Sequence, residues 1–135
     1  MGFKLGHLRQ IALPSGNLSR SVQFYRDTLG TEFIAQYDPP GLAFFRLGQT
    51  RLLLEHSATA RASEAVLYFE VPDIDDAFST LTANGVEFDS APHPIYRDER
   101  GTFGTAGGEE WMAFFKDPDG NVLALASRIE HSPTQ

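Results

Sequence analysis

Residues 30–33 (Gly-Thr-Glu-Phe) and 43–46 (Ala-Phe-Phe-Arg) recur in the same order as residues 85–88 (Gly-Val-Glu-Phe) and 113–116 (Ala-Phe-Phe-Lys). One short match arises easily by chance. Two matches in the same order, each placed alike relative to a stretch of helical periodicity, indicate that one supersecondary unit has been duplicated. The repeat therefore predicts two similar modules in one chain.

Each module is predicted to begin with a strand followed by a helix. Residues 7–13 and 65–71 are rich in β-branched and aromatic residues, and a proline follows each run, which is typical of a strand that stops there. Asn17 and Asp73 stand where an N-cap would begin the next helix. The apolar residues with helical spacing are Leu18, Val22, Tyr25 and Leu29 in the first helix and Ile74, Ala77, Phe78 and Leu81 in the second.

Three short strands are predicted after each helix. Their approximate positions are 32–37, 42–46 and 51–55 in the first module and 86–89, 110–115 and 122–127 in the second. We therefore predict an α+β fold of two tandem βαβββ modules, whose mixed sheets curve around a shared cavity. The prediction treats residues 1–135 as a single domain, with module one at about 7–57 and module two at about 65–128.

The composition restricts the partners and the compartment. Eighteen acidic residues against eleven basic ones give a net charge of -7, which argues against nonspecific binding to nucleic-acid phosphates. There are no cysteines, so thiol catalysis and thiolate metal sites are excluded. No apolar run is long enough for a membrane helix, and residues 1–10 do not read as a signal peptide. We expect a cytoplasmic protein whose partner is a small molecule rather than a nucleic acid or a membrane.

Three stretches resemble those of a known superfamily. They are residues 21–30 (SVQFYRDTLG), 71–74 (VPDI) and 117–121 (DPDGN). Together they are similar to the vicinal oxygen chelate superfamily, which includes glyoxalase I, methylmalonyl-CoA epimerase, extradiol dioxygenases and the bleomycin and fosfomycin resistance proteins. The resemblance covers residues 8–128. It implies the fold but no single reaction, because this fold hosts several chemistries as well as binding proteins without activity.

The resemblance also implies where a metal would be held. In the enzymes of the superfamily, four strands supply the ligands, and the equivalent positions here fall on Gln10, Glu55, Val66 and Ala124. Valine and alanine cannot coordinate a metal, and two oxygen ligands do not make a selective site. We therefore expect no metal ligands and no cofactor, with a divalent metal as the less favoured alternative.

Strand alternation assigns side chains to the cavity once one position is fixed. If Gln10 points inward, the cavity face also holds Ala12, Leu53, Glu55, Val66, Tyr68, Glu70, Val122, Ala124 and Ala126. Glu55 and Glu70 are then candidate catalytic bases, because burial raises the pKa of a carboxyl group. Gln10 and Tyr68 are candidate ligand-binding residues. The alternative for the two glutamates is that they are ordinary solvated acids.

The second module carries an insert that the first module lacks. His93, between Pro92 and Pro94, is a candidate catalytic acid or base, or a group that recognises the ligand, or a surface histidine without a role. Residues 97–110 contain four glycines and are predicted to form a mobile cover, or else a disordered loop.

The strand that follows the insert contains the sole tryptophan. Alternation puts Met112 and Phe114 on one face and Trp111 on the other, but it does not say which face lines the cavity. Trp111, Met112 and Phe114 are all candidate ligand-binding residues, with core packing as the alternative.

Two kinds of function follow from the resemblance. The first is a metal-independent isomerase, epimerase or lyase in which a cavity carboxylate removes a proton next to a carbonyl group. The second is a protein without activity that sequesters a drug or metabolite, as the bleomycin resistance proteins do. Enzymatic activity is therefore left open. A homodimer is expected from the resemblance and from sheet edges that need covering.

Overall fold

The computed structural model describes residues 2–131 and divides into two compact units. The first unit comprises Met1–Glu64 with Asp117–Asn121, and the second comprises Ala65–Lys116 with Val122–Gln135. Apart from the 117–121 turn, each predicted module falls within one unit. Among the described residues, no helix has the length and apolarity needed to cross a membrane.

The first unit is a four-stranded mixed sheet with one helix. Strand β1 runs parallel to β4, and the β2–β3 and β3–β4 pairs are antiparallel, in the spatial order β1-β4-β3-β2. The elements are β1 (Gln10–Ser15), α1 (Leu18–Gln23), a π-helical continuation (Phe24–Thr28), β2 (Glu32–Tyr37), β3 (Leu42–Leu47) and β4 (Thr50–His56).

The second unit repeats this plan. Its strands lie in the order β5-β8-β7-β6, with β5 parallel to β8 and the other pairs antiparallel. The elements are β5 (Val66–Glu70), α2 (Ile74–Ala83), β6 (His93–Asp98), β7 (Gly108–Lys116) and β8 (Val122–Ile129). The prediction of two βαβββ modules is confirmed.

The internal repeat reappears as matching contacts in the two cores. Phe45 and Phe115 hold equivalent places in the repeat and are both fully buried. The ring of Phe33 lies 5.6 Å from that of Phe45, and the ring of Phe88 lies 5.1 Å from that of Phe115. The repeat therefore marks the same aromatic pair beneath the helix of each unit.

The two helices begin at the predicted caps. The Asn17 side chain accepts a hydrogen bond from the Arg20 backbone N–H at 3.1 Å, and Asp73 accepts one from Asp76 at 3.0 Å. Each side chain thus satisfies one of the backbone donors that a helix start leaves free. The helices then cover one face of their sheets.

Strand β1 differs from its prediction at both ends. It begins at Gln10 rather than at residue 7 and continues through Pro14 to Ser15. Proline has no N–H to donate, but β1 is an edge strand with a neighbour on one side only, so Pro14 fits without breaking the ladder.

The first of the three strands after helix α2 lies outside its predicted position. Phe88 makes only an isolated bridge to Phe115, and the paired strand is β6, which starts at His93. This edge strand exposes five of its six residues, so it lacks the alternation of apolar and polar residues by which strands are recognised.

Candidate functional site

Each sheet has a face opposite the helix of its own unit, here called the open face. In the first sheet, Leu13 and Leu54 are buried beneath α1, whereas Gln10 and Glu55 are exposed on the open face. Burial thus agrees with the predicted alternation. Cross-strand partners form rows across each open face, and the candidate residues on these strands belong to such rows.

The two candidate metal ligands of the first unit lie far apart along their sheet. Gln10 lies opposite Arg51, whose Nε donates a hydrogen bond to Gln10 Oε1 at 3.0 Å. Glu55 lies four residues further along β4, opposite Pro14. At about 3.3 Å per residue, this separates Glu55 from the Gln10 position by about 13 Å. To reach one ion at about 2 Å, both side chains would have to extend along the sheet towards each other, but the Gln10 oxygen is bonded to Arg51 instead.

The other two positions, in the second unit, carry hydrocarbon side chains. Val66 lies opposite Val122, and Ala124 lies opposite Tyr68. Within residues 2–131, no group of three or more His, Cys, Asp or Glu side chains is arranged to hold a metal. The residues present therefore do not fit the four-ligand site of the superfamily, and the absence of a bound metal stays a prediction.

An aromatic pair lies on the open face of the second sheet. Tyr68 and Phe114 are both cross-strand partners of Ala124, which lies between them on β8. Their ring centroids are 6.1 Å apart with an interplanar angle of 81°, an edge-to-face arrangement that aromatic rings favour. Tyr68 is 55% exposed. This pair offers a ligand an apolar surface with a phenol at its edge.

A second row of partners crosses the same face about 7 Å further along the strands. It runs Glu70, Ala126, Met112, His93 from β5 to β6. Glu70 is exposed, and no hydrogen bond or ion pair engages its side chain within the described part of the chain. Beside the aromatic pair there is therefore an uncompensated negative charge.

Glu70 and His93 stand at opposite ends of this row. Three interstrand spacings separate them, which amounts to about 14 Å. The His93 ring Nδ1 lies 3.0 Å from the carbonyl oxygen of Ala91. Groups so far apart cannot act together on one carbonyl group and its neighbouring carbon. The catalytic roles of Glu55, Glu70 and His93 remain predictions that this geometry does not favour, because both glutamates are exposed.

Trp111 lies on the other face of the second sheet. Its partners are Ser127 and Pro94, and its Nε1 donates a hydrogen bond to Glu109 Oε1 at 3.2 Å. The register thus answers the question that alternation left open, since Met112 and Phe114 share the face of Tyr68 and Trp111 does not. The role of Trp111 in binding stays a prediction.

Sequence reasoning missed a cluster of charges around Arg128. The guanidinium is 17% exposed and forms ion pairs with Asp98 at 3.0 Å, with Glu110 at 2.8 Å and with Glu130. These contacts raise the pKa of Arg128 above its ordinary value, chiefly through the hydrogen bonds with Glu110 and Glu130. Alternation with Ala126 could have placed Arg128 on the open face, but nothing in the sequence pairs it with its three acids.

This cluster holds the loop at 99–107 in place. Burial raises the pKa of Asp98, but the N–H groups of Phe103 and Thr102 and the Arg128 guanidinium lower it by more, so it lies below its ordinary value. The two N–H groups donate to Asp98 at 2.8 and 2.7 Å, and Arg128 also donates to the Thr105 carbonyl. These bonds favour a folded loop over the mobile cover that its glycines suggested.

A cavity of about 320 Å³ lies in the first unit, away from the candidate residues. Asn17 at the start of α1, Asp38 and His56 contribute to its lining. His56 is the β4 neighbour of Glu55 and lies on the opposite face of the sheet, because successive strand residues alternate between faces. None of the predicted site residues lines this cavity.

The family of the chain follows from this two-unit fold and from sequence comparison. The sequence model of the Glyoxalase/Bleomycin resistance protein/Dioxygenase superfamily matches residues 4–125. The chain belongs to this superfamily, as its three characteristic stretches indicated.

The individual relatives and structures do not name a common activity. YraH of Bacillus subtilis (strain 168), an uncharacterized protein, is 27% identical in an alignment of 135 positions that covers 87% of this chain and 95% of YraH. A glyoxalase/bleomycin resistance protein/dioxygenase from Nocardioides superposes with a TM-score of 0.73 at 22% identity, covering 99% of this chain and 91% of its own. A lactoylglutathione lyase from Agrobacterium tumefaciens superposes with a TM-score of 0.70 at 21% identity, covering 91% and 94%. At such identities the two structures show the fold alone.

Proposed function

We propose that the protein binds a small aromatic cation, without a metal, on the open face of its second sheet. The observation that carries the proposal is the pair of Tyr68 and Phe114 over Ala124, with the unpaired Glu70 in the next row. Aromatic faces attract both aromatic rings and organic cations, and a carboxylate adds a charge of the opposite sign.

Two further features support binding rather than proton abstraction. Met112 lies beside the aromatic pair, and its flexible thioether can adapt to an irregular ligand. The carboxylates that a reaction would need are exposed and distant from His93, as described above. The function supported best is therefore recognition or sequestration of a small molecule, of the kind named for the bleomycin resistance branch of the superfamily.

Calorimetry with two matched probes tests this proposal. Phenethylammonium and the neutral 2-phenylethanol have similar apolar bodies and differ in charge, and we expect the protein to bind the cation more tightly. Glu70→Gln keeps the shape but removes the charge, so phenethylammonium should bind about tenfold more weakly. Tyr68→Ala should weaken it by a similar factor, since one aromatic wall is lost.

Glu87→Gln provides the control. Glu87 is also an exposed acid of the second unit, but it lies outside the strands that form the open face. This variant should bind phenethylammonium like the unaltered protein. If Glu70→Gln and Glu87→Gln weakened phenethylammonium binding equally, the loss would come from the change in net charge alone. That result would contradict the proposed site.

A further inference from the structure

A polar row crosses the open face of the first sheet from edge to edge. Gln10 on β1 is the partner of Arg51 on β4, Arg51 is the partner of Arg46 on β3, and Arg46 is the partner of Glu32 on β2. Cross-strand partners lie on the same face of a sheet. Two arginines therefore stand side by side on the two central strands, one residue pair from the β3–β4 turn.

The positive charge of this row is only partly compensated. Arg46 Nε forms an ion pair with Glu32 at 3.3 Å. Arg51 donates instead to the neutral amide of Gln10, and among residues 2–131 no carboxylate oxygen lies within salt-bridge distance of it. Directly opposed strand residues have Cα atoms about 5 Å apart, and like charges at that position destabilise a sheet. An anion bound between the two guanidinium groups would remove this repulsion.

The neighbouring row is apolar. Leu53 and Phe44 are partners on β4 and β3, about 7 Å along the strands from the two arginines, and Ala12 and Ala35 flank them. Leu53 and Phe44 are partly exposed rather than buried in the core beneath α1. A ligand held by its anionic end at Arg51 and Arg46 would thus lay an apolar body across this second row.

We propose that Arg51 and Arg46 form a binding site for a small organic carboxylate with an apolar body. The planar guanidinium fork matches a carboxylate with two parallel hydrogen bonds. Arg51 supplies the fork because the described residues give it no carboxylate partner, and Arg46, which keeps its ion pair with Glu32, adds a second positive charge beside it. This site is formed by residues of the first sheet, and the cation site proposed above is formed by residues of the second.

The test uses 3-phenylpropionate as the probe and follows two signals. Its affinity is measured by calorimetry, and the Nε–Hε resonance of Arg51 is followed by NMR during the titration. Arg51→Gln, which retains a polar side chain beside Gln10, should weaken binding about tenfold, and Arg51→Lys should weaken it less, because the charge remains while the fork is lost. Phenethylammonium binding should stay unchanged in both variants.

Three outcomes would overturn this proposal. Arg61→Gln removes an exposed loop arginine that has no ion pair with any residue of the described 2–131 range, so an equal loss in this control would show that only net charge matters. Inorganic phosphate that displaces the probe at equal concentration would show that the apolar row contributes nothing. A change in oligomeric state on Arg51→Gln, with probe binding intact, would make this face an interface instead. Unchanged phenethylammonium binding in Tyr68→Ala would contradict only the cation site of the second sheet, so the two proposals can fail separately.

Discussion

At the scale of single residues, the turn at 117–121 is fixed by a buried hydrogen-bond network. Tyr25 Oη donates to Asp117 Oδ2 at 2.7 Å, and Asn121 Nδ2 donates to the same oxygen at 2.8 Å. Ser21 Oγ donates to Asp119 at 2.8 Å. Burial and the charge of Asp117 together raise the pKa of Tyr25 above its ordinary value. The motifs FYRDTLG and DPDGN are thus connected by hydrogen bonds in the first unit, which explains why these residue types occur together.

Tyr25→Phe should lower the free energy of unfolding by about 1–3 kcal/mol, because buried Asp117 loses a donor. The raised pKa also predicts the response to pH. A group whose pKa is higher in the folded state stabilises the protein below its unfolded pKa, and that contribution is lost as pH rises beyond about 10. Denaturant titrations should therefore show an alkaline loss of stability that is smaller in Tyr25→Phe.

Tyr37→Phe is the matched control for this experiment. Tyr37 is 55% exposed, and no hydrogen bond of its hydroxyl occurs within the described residues. This variant should keep the stability and the alkaline response of the unaltered protein. If Tyr25→Phe were as stable as Tyr37→Phe, the network would contribute nothing to folding.

At the scale of elements, the sequence predicted the strands whose residues alternate between core and surface. It did not predict the position of β6, which lacks this alternation. In strands β5 and β8, the residues Leu67, Leu123 and Leu125 lie on the buried face. The residues next to them in sequence lie on the open face. Strand β6 exposes nearly all its residues and was expected at 86–89. The open-face positions of Tyr68 and Glu70 followed from the sequence. The partners of Arg51 and Arg128 did not, because they depend on long-range register.

The loop at 99–107 provides a prediction at this scale. A Cβ added at Gly104 would lie 2.6 Å from Arg128 Nε and 2.7 Å from Glu130 Oε1. Arg128 cannot move aside without breaking its ion pairs, so Gly104→Ala should open the loop. Amide exchange at Thr102 and Phe103, whose N–H groups bond Asp98, should accelerate about tenfold.

Gly6→Ala is the control for the loop, since nothing lies within 4 Å of the Cβ that it adds. It should leave the exchange of both amides unchanged. Continued protection of Thr102 and Phe103 in Gly104→Ala would show that the charged cluster does not hold the loop.

At the scale of the whole molecule, both the superfamily and the poor fit to its metal site could be read from the sequence. Val66 and Ala124 stand at two of the four metal-ligand positions, and their hydrocarbon side chains cannot coordinate a metal. Sequence spacing alone leaves Gln10 and Glu55 as a possible pair of metal ligands. The strand register shows that their positions are four residues apart along β4. The activity was out of reach of the sequence, since the same fold serves enzymes and binding proteins.

The homodimer is also a prediction at this scale. The segment before β1 exposes Phe3, Leu5 and Leu8, which are 88%, 83% and 61% accessible. Exposed apolar residues beside an edge strand favour contact with another chain. We expect light scattering to give a dimer mass at micromolar concentration and Leu5→Glu to shift it towards the monomer. A monomer mass for the unaltered protein would contradict this expectation.

An aromatic cation is proposed to bind the open face of the second sheet without a metal. Methyl NMR tests this binding most directly. Met112 lies in that face, and the chain has only one other methionine, so a Met112→Leu variant assigns the labelled methyl signal of Met112. In protein stripped of metals by a chelator, phenethylammonium should shift the Met112 signal through the ring current of the bound probe, and Tyr68→Ala should need about tenfold more probe for the same shift. Binding that leaves Met112 unmoved, or that appears only after a divalent metal is added, would contradict the account.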